Sequence, residues 1–377
     1  MENKVIQFGV LGCGGFGLFA LQHFTQVPGL RLTAMAGTHR QAALAAAKRF
    51  GIPNLDDVEA LLRYPDLELI YIATPPFLHY AQAMAAIKAG KHVICEKPLA
   101  LTLAQADEMI AAARDYPGGP RLLVANLMQR YNPLFDQVGQ LIRSGVLGEV
   151  LHGFFENYAA DEGLPPDHWF WDRSRSGGLF IEHGVHFFDL LAGWLGPGTV
   201  VSAQRGRRPG SGVEEHVQCT VRYGSHILFH FYHGFHQPAR MDRQELRLVF
   251  ERGDLSLYGW IPCAGRIRAV VDEEQTRRLC EIFPGARLDV TANYGGNDRH
   301  CRGRHKDLDV YQMIELTFGA GEEKLPRYGA LLRAFAADQV AWLRNPAHPR
   351  RVTEENGRAS LAAAVEATRL ADGEGQR

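Results

Sequence analysis

Two hydrophobic patterns divide the chain. From Val5 to about Leu127, short apolar runs of strand length alternate with stretches whose apolar residues recur at helical spacing. Strands separated by helices usually pair in parallel and are buried on both faces, so this half predicts a doubly wound α/β fold. The predicted strands are 5–11, 30–36, 67–74, 91–95 and 121–126, and the predicted helices are 16–27, 40–50, 56–63, 79–89, 103–115 and 132–143.

The pattern changes beyond Gly148, where apolar and polar residues alternate without intervening helices. Such alternation is typical of an antiparallel sheet with one side facing solvent or a ligand. Two domains follow from these patterns: a parallel-sheet domain over 1–127, and an α+β domain with a large, open, mainly antiparallel sheet over 128–352. The later strands are predicted at 149–158, 213–223, 226–235, 244–250 and 265–271, and the later helices at 182–195, 327–343 and 354–371.

Composition is consistent with a two-domain protein in a reducing compartment. A chain of 377 residues exceeds what a single core usually supports. The 41 Lys and Arg residues nearly balance the 42 Asp and Glu residues, which favours neither a nucleic-acid nor a membrane partner. The six cysteines form no CxxC pair, and no leader or long apolar run stands out. We therefore expect a cytoplasmic protein.

A glycine motif follows the first predicted strand directly. Gly12, Gly14 and Gly17 form G-x-G-x-x-G between that strand and a predicted helix. This arrangement brings backbone N–H groups and a helix N-terminus up to a pyrophosphate, so we expect a bound dinucleotide. A glycine-rich turn without a ligand is the alternative. The residues expected to bind the cofactor here are Gly12, Gly14, Gly15, Phe16 and Gly17.

The end of the second predicted strand indicates which dinucleotide binds. An acidic residue at this position binds the ribose 2′-hydroxyl of NAD, but here the chain reads Gly37, Thr38, His39 and Arg40. A hydroxyl group followed by cationic groups suits a 2′-phosphate better than a carboxylate does. We therefore expect NADP(H) to be preferred through Thr38, His39 and Arg40. If Arg40 only begins a helix, NAD(H) is the alternative.

A candidate catalytic lysine follows another predicted strand. Glu96, Lys97 and Pro98 come directly after the strand that ends at Cys95, at the sheet edge where ligands of this architecture bind. A lysine there can hydrogen-bond a substrate hydroxyl and take part in proton transfer. A single lysine is more often a surface charge, but its place behind a dinucleotide motif favours catalysis.

A second cluster contains candidate acid and base groups. If the segment is helical, Glu182, His186 and Asp189 lie at i, i+4 and i+7 on one face, and His183 lies partly off it. His186 is the natural base for a hydroxyl proton, and Glu182 is expected to orient it or bind a neighbouring hydroxyl. A metal held by these side chains and a structural buried histidine are alternatives. We expect no metal, because a lysine and a histidine can share the proton.

An aromatic segment precedes this cluster, and Trp169 within it is a candidate platform for a sugar ring. Aromatic side chains are also common in protein cores, so a purely structural role is the alternative.

Together these motifs resemble the Gfo/Idh/MocA oxidoreductases, the relatives of glucose–fructose oxidoreductase and inositol dehydrogenase. The resemblance implies an N-terminal Rossmann domain, with the helix over 353–371 packed back on it, and a C-terminal domain whose sheet forms a homodimer or homotetramer. The matching segments, which lie in order over roughly residues 5–200, are Gly12–Gly17, Ala73–Pro76 with His79, Gly90–Pro98, Asn126–Arg130 and Gly177–Asp189.

The resemblance also implies roles for individual residues. Lys97 and His186 form the acid/base pair, and Arg130 and Asp189 lie near the substrate. One difference stands out, because the family more often has Asp where this chain has Glu182. Trp169 and His183 are further expected substrate contacts. The remaining residues expected to bind the cofactor are Thr74, Pro75, His79, Glu96 and Lys97.

We therefore expect an NAD(P)-dependent oxidoreductase that interconverts a hydroxyl and a ketone on a sugar, polyol or sugar derivative. A redox-neutral glycoside hydrolase, which is known in the same superfamily, is the second hypothesis. A dinucleotide-sensing regulator without enzymatic activity is the third, and it has no need for Lys97 and His186 together.

Overall fold

The computed structural model describes residues 4–37, 40–55, 57–161 and 163–373. Contacts divide the chain into two compact units. The first unit comprises 1–131, 165–189 and 328–368, and the second unit comprises 132–164, 190–327 and 369–377. The predicted domain boundary after residue 127 lies near the end of the first stretch. The predicted second domain, 128–352, differs from the second unit because 165–189 and 328–352 cluster with the first.

A parallel sheet of six strands forms the centre of the first unit. Its strands are β1 (Ile6–Leu11), β2 (Leu30–Ala36), β3 (Asn54–Leu55), β4 (Leu69–Ile72), β5 (His92–Cys95) and β6 (Leu123–Ala125). Their order is β3-β2-β1-β4-β5-β6, so the chain crosses from one side of β1 to the other between β3 and β4. Ligands of open parallel sheets bind at such a switch point, beyond the carboxyl ends of the strands. The predicted Rossmann architecture is confirmed; only the two-residue β3 was not predicted.

Helices connect these strands, and local capping explains several of their ends. Asp57 accepts a hydrogen bond from Ala60 N (2.7 Å) at the start of the third helix, and Thr102 caps the fifth in the same way. The helices are α1 (Gly15–Phe24), α2 (Arg40–Phe50), α3 (Val58–Leu62), α4 (His79–Lys88), α5 (Leu103–Arg114), α6 (Pro133–Ser144) and α7 (Arg173–Ser176), of which α6 lies in the second unit.

The second unit contains a nine-stranded sheet. In sequence its strands are β7 (Val150–Ala159), β8 (Gly198–Arg207), β9 (Glu214–Tyr223), β10 (Ile227–Phe235), β11 (Arg243–Phe250), β12 (Gly253–Tyr258), β13 (Ala264–Val271), β14 (Arg287–Asn293) and β17 (Gln312–Phe318), with a separate hairpin of β15 (His300–Gly303) and β16 (Lys306–Asp309). The order is β14-β17-β13-β12-β11-β7-β10-β9-β8. Neighbours are antiparallel except β7 and β10, which are parallel, so the expected mainly antiparallel sheet is confirmed.

Alternation along β10 sets the two faces of this sheet. Phe229, Phe231 and His233 are buried, whereas Leu228 and Tyr232 on the opposite face are exposed or half-buried. The described strands of the second unit that the sequence did not predict are β8, β12, β14, β15, β16 and β17. Of these, β8 and β14 are largely exposed along their length and lack such a pattern. The helix α9 (Glu273–Ile282) was also not predicted.

The single helix expected over 182–195 is wrong in detail. A π-helical turn over Phe180–Gly184 precedes the helix α8 (Val185–Leu195). Gly177 and Gly178 come before it with φ of +84° and +91°, and a Cβ on Gly177 would lie 2.7 Å from the Ile181 side chain. The π turn carries an extra residue, so regular i, i+4, i+7 spacing does not hold across it.

Two long helices end the described chain, α10 (Lys324–Arg344) and α11 (Glu354–Ala371). In the first unit, Gly357 of α11 approaches Ala125 so closely that an added Cβ would lie 3.1 Å from the alanine Cβ. Arg358 of the same helix pairs with Asp107 of α5. In the described part of the chain, none of the helices is long and apolar enough to cross a membrane.

Buried histidines make stability depend on pH. Burial lowers the pKa of His92 to about 4 and that of His233 to about 3. Below pH ~6.5 the unfolded chain binds protons that these folded histidines do not, so the free energy of unfolding should fall as pH decreases toward 4. His92→Gln should reduce this slope by roughly one proton, measured by urea unfolding across pH. Replacing the exposed His226 with Gln is the matched control; equal slopes in both variants would contradict the interpretation.

Candidate active site

The glycine motif forms a turn that only glycine permits. Gly12 has φ of +101°, and a Cβ there would lie 2.6 Å from the Ala73 carbonyl. A Cβ on Gly17 would lie 2.8 Å from the Ala73 Cβ. The turn after β1 and the turn after β4 therefore approach each other more closely than a larger residue allows.

The other face of this turn is open. A Cβ on Gly14 or Gly15 would meet none of the described atoms within 4 Å. Helix α1 begins at Gly15, and its N-cap Gly14 offers no side-chain hydrogen bond to the first N–H groups. Phe16 is 36% exposed and its ring lies 5.7 Å from that of Tyr328. Uncapped N–H groups beside open glycines fit the pyrophosphate of a dinucleotide.

Three residues are predicted to choose between NAD and NADP. Thr38, His39 and the side chain of Arg40 lie outside the described residues. Gly37 ends this strand region, and a Cβ on it would lie 2.9 Å from Cys13 Sγ. A side chain at position 37 would therefore require Cys13 to move.

Two of the predicted cofactor residues after β4 turn their side chains inward. The Thr74 hydroxyl donates to Gln82 Oε1 (2.6 Å). His79 is fully buried, with Nδ1 2.7 Å from the Pro98 carbonyl oxygen and Nε2 2.8 Å from that of Thr74. Pro75 between them is half-buried. A cofactor at this turn would therefore meet backbone and Pro75 rather than the side chains of Thr74 and His79.

Glu96 also lies in the core rather than at an open surface. Its Oε1 accepts hydrogen bonds from the Tyr71 hydroxyl (2.6 Å) and Asn126 Nδ2 (2.8 Å). Burial raises the pKa of Glu96, and burial beside Glu96 raises the pKa of Tyr71 well above its usual range. Tyr71 belongs to β4 and Asn126 follows β6, so this carboxyl group joins the ends of three adjacent strands.

Lys97 is held by a single residue through two acceptors. Its Nζ donates to Glu182 Oε1 (2.7 Å) and to the Glu182 carbonyl oxygen (2.8 Å). The two side chains are 18% and 11% exposed. An ammonium group has three N–H donors, so one remains for a substrate among the contacts that the described residues make.

His186 interacts electrostatically with Lys97. It is 3% exposed, and burial together with the charge of Lys97 lowers the pKa of His186 well below its usual value. The imidazole is therefore neutral at neutral pH and able to accept a proton. His183, on the π turn, is 9% exposed and stacks on Phe187 with ring centroids 6.0 Å apart.

Arg130 and Asp189, predicted to lie near the substrate, bind each other. The guanidinium donates from Nε to Oδ2 and from Nη2 to Oδ1 and the carbonyl oxygen of Asp189, each at 2.8 Å. Asn356 Nδ2 contacts Oδ1 at 3.4 Å. Burial raises the pKa of Asp189, although Arg130 acts against this shift. The pair holds the beginning of α8 against the 3-10 turn Met128–Tyr131.

The aromatic segment forms a 3-10 turn over Trp169–Trp171 in the first unit. Trp169 is half-buried, and its ring lies 5.1 Å from that of His168. Further along, Arg175 of α7 stacks over Phe77 at 4.4 Å, which ties this segment to the turn after β4.

Sequence reasoning missed Tyr71, which binds Glu96, and Gln82, which binds Thr74. The available signal was a polar group in a fully buried context: Tyr71 lies between Ile70 and Ile72 in β4. In the described ranges, no group of three or more His, Cys, Asp and Glu side chains is arranged to hold a metal ion.

Comparisons with known proteins identify the family. A model described as the oxidoreductase family with an NAD-binding Rossmann fold matches residues 6–118, and the GFO/IDH/MocA C-terminal domain matches residues 135–256. The chain belongs to the Gfo/Idh/MocA oxidoreductase family. The resemblance drawn from the motifs is thereby confirmed.

Among relatives of this Gfo/Idh/MocA chain, 1,5-anhydro-D-fructose reductase from Ensifer adhaerens is 32% identical over 219 residues, covering 55% of this chain and 62% of the relative. A dTDP-3,4-didehydro-2,6-dideoxy-alpha-D-glucose 3-reductase from Actinomadura kijaniata is 31% identical, covering 49% and 56%. The scyllo-inositol 2-dehydrogenase (NAD(+)) of Bacillus subtilis is 28% identical, covering 52% and 55%. These matches thus span little more than half of each relative's length.

A solved structure of levoglucosan dehydrogenase with NADH and L-sorbose has a TM-score of 0.75 and covers 98% of both chains at 19% identity. At this identity the likeness supports the Gfo/Idh/MocA fold alone.

The Arg130–Asp189 pair gives a stability prediction for this family member. Arg130→Met should lower the free energy of unfolding by about 3–5 kcal/mol, because it leaves a buried carboxylate without its guanidinium. The double variant Arg130→Met with Asp189→Leu should recover part of this loss, measured by urea unfolding. Arg114→Met, which removes an exposed pair with Asp115, is the control and should cost less than about 1 kcal/mol. A near-zero effect of Arg130→Met with a raised KM would instead assign the pair to the substrate.

Proposed function

We propose that this protein is an NAD(P)-dependent oxidoreductase that interconverts a hydroxyl and a ketone on a sugar, polyol or sugar derivative. The observation that carries the proposal is the Lys97 ammonium, which Glu182 holds through two acceptors beside the buried, neutral His186. The relatives named above are reductases and dehydrogenases of sugars and an inositol, which supports this substrate class.

Lys97 positions the substrate oxygen in this proposal. Two of its N–H groups donate to Glu182, and the third donates to the oxygen of the substrate hydroxyl or ketone. A positive charge at that oxygen stabilises the negative charge that develops as the hydroxyl loses its proton. The Glu182 carboxylate limits the cost of keeping an ammonium group with little solvent around it.

His186 moves the proton. Its neutral imidazole accepts the hydroxyl proton during oxidation, and the resulting imidazolium returns it during reduction. The charge of Lys97 disfavours a second positive charge nearby, so the proton does not stay on His186 before substrate arrives. A bound nicotinamide cofactor would supply the hydride chemistry, as acceptor in oxidation and donor in reduction.

The glycine turn is the proposed place of the cofactor pyrophosphate. The N–H groups at Gly14 and Gly15 and the start of α1 would hold it, because the N-cap Gly14 has no side chain to cap them. NADP(H) is the proposed preference and NAD(H) the alternative, since the chain from Gly37 to Arg40 offers no carboxylate to a ribose hydroxyl.

The substrate contacts complete the proposal. Trp169 offers an aromatic face to a sugar ring, and His183 lies on the same π turn as Glu182. Arg130 and Asp189 lie near the substrate in this proposal, and their ion pair also fixes the beginning of α8. Assembly as a homodimer or homotetramer through the nine-stranded sheet and a cytoplasmic location belong to the same proposal.

The central test is activity and the effect of Lys97→Ala. Purified protein is assayed by absorbance of the reduced nicotinamide with levoglucosan, scyllo-inositol, 1,5-anhydro-D-fructose and further sugars and polyols, using both cofactors. Lys97→Ala should lower turnover by about 10²–10⁴-fold, because the oxygen loses its donor. NADPH binding, followed by fluorescence, should be nearly unchanged. Lys88→Ala, an exposed lysine at the end of α4, is the matched control.

The same preparation separates the other hypotheses. Normal turnover by Lys97→Ala would remove the lysine from the mechanism. Release of nitrophenol from nitrophenyl glycosides without net cofactor reduction would assign redox-neutral glycoside cleavage. Tight NADPH binding without turnover of any compound would assign a dinucleotide sensor.

Cofactor preference makes a separate prediction. Arg40→Ala should lower kcat/KM with NADP⁺ by about tenfold or more and leave the value with NAD⁺ nearly unchanged, because a charge-assisted contact to the 2′-phosphate is lost. The measurement is the ratio of the two kcat/KM values. Arg49→Ala, in the last turn of the same helix, is the control. An equal ratio in Arg40→Ala and the wild type would remove Arg40 from cofactor selection.

A further inference from the structure

One buried side chain joins the two turns that flank the proposed site. His79, the first residue of α4, lies with Nδ1 2.7 Å from the Pro98 carbonyl oxygen and Nε2 2.8 Å from the Thr74 carbonyl oxygen. Thr74 belongs to the turn after β4, and Pro98 directly follows Lys97. The ring is fully buried, so its contacts are to protein rather than to solvent.

Both partners of His79 are carbonyl oxygens, which accept hydrogen bonds and therefore need an N–H donor. A neutral imidazole donates to one carbonyl and an imidazolium donates to both. Burial lowers the pKa of His79, the positive charge of Lys97 acts in the same direction, and the two carbonyls and Glu182 act against them. In either form the ring lies between the two carbonyl groups and hydrogen-bonds at least one of them.

The two turns are not held equally. The turn after β4 has a second anchor on the same helix, because Gln82 accepts the Thr74 hydroxyl at 2.6 Å. Among the described side chains of α4, His79 is the one that hydrogen-bonds to the turn after β5. Loss of His79 should therefore leave Pro98 without a hydrogen bond from α4, whereas Thr74 keeps one.

We propose that His79 is a positioning residue, which fixes Lys97 relative to the turn after β4 without touching the substrate or the cofactor. Its catalytic consequence rests on the proposed function, since Lys97 holds the substrate oxygen there. The positioning itself concerns the fold, so it is tested without any substrate.

The test compares two replacements of His79. His79→Leu fills the space without a donor, whereas the amide of His79→Gln can donate to one of the two carbonyls, as a neutral imidazole does. In crystal structures, the contact between Lys97 Nζ and Glu182 Oε1 should be lost in His79→Leu and kept in His79→Gln. NADPH affinity, measured by fluorescence, should change little in both because Gln82 still holds Thr74. Turnover of levoglucosan or scyllo-inositol, whichever the wild type oxidises, should fall about 10²-fold only in His79→Leu.

Gln82→Leu is the matched control, because it removes a buried hydrogen bond from the same helix face without touching Pro98. It should leave the Lys97–Glu182 contact intact. The proposal is overturned if folded His79→Leu keeps that contact, or if Gln82→Leu loses it equally. If His79→Leu does not fold, His79→Met, which also lacks a donor, replaces it in the comparison. A wild type without turnover would contradict the proposed function and leave the structural comparison decisive for His79.

Discussion

The proposed site depends on keeping the Lys97 ammonium in a place with little solvent. A charge there is stable only when it is paired, and Glu182 supplies both a carboxylate and a carbonyl oxygen. Because both acceptors come from one residue, the position of the π turn decides where the third N–H of the lysine points. The rest of the first unit fixes either the strand end that carries Lys97 or the turn that carries Glu182.

Separate groups support these two sides. On the lysine side, Glu96 joins the ends of β4, β5 and β6 through Tyr71 and Asn126. On the other side, the left-handed Gly177 and Gly178 lead into the π turn, and the Arg130–Asp189 pair holds the helix that follows. These buried polar groups are hydrogen-bonded to one another, which gives a rigid arrangement at a small distance from the chemistry.

Periodicity predicted the first unit well because most of its strands are short and largely buried, and because glycines mark the ends of several helices. It predicted the second unit less well, since β8 and β14 expose most of their residues and lack the alternation that marks a half-buried strand. At the site, motif and spacing selected Lys97, Glu182 and His186, which the fold brings together. For Arg130, Asp189, His79 and Glu96, contacts with substrate or cofactor remain predictions. The sequence did not show that these side chains also hydrogen-bond protein groups in the interior.

The first unit is assembled from three stretches of chain, the last of which ends near residue 368. Residues 165–189, which include Glu182 and His186, pack in the unit whose parallel sheet ends in sequence at Ala125 of β6. Helix α11 places Gly357 beside Ala125. During synthesis, all six strands of this sheet would therefore leave the ribosome long before the two later segments that complete the first unit. Contacts so distant in sequence slow folding, so the nascent parallel sheet waits with part of its apolar surface uncovered.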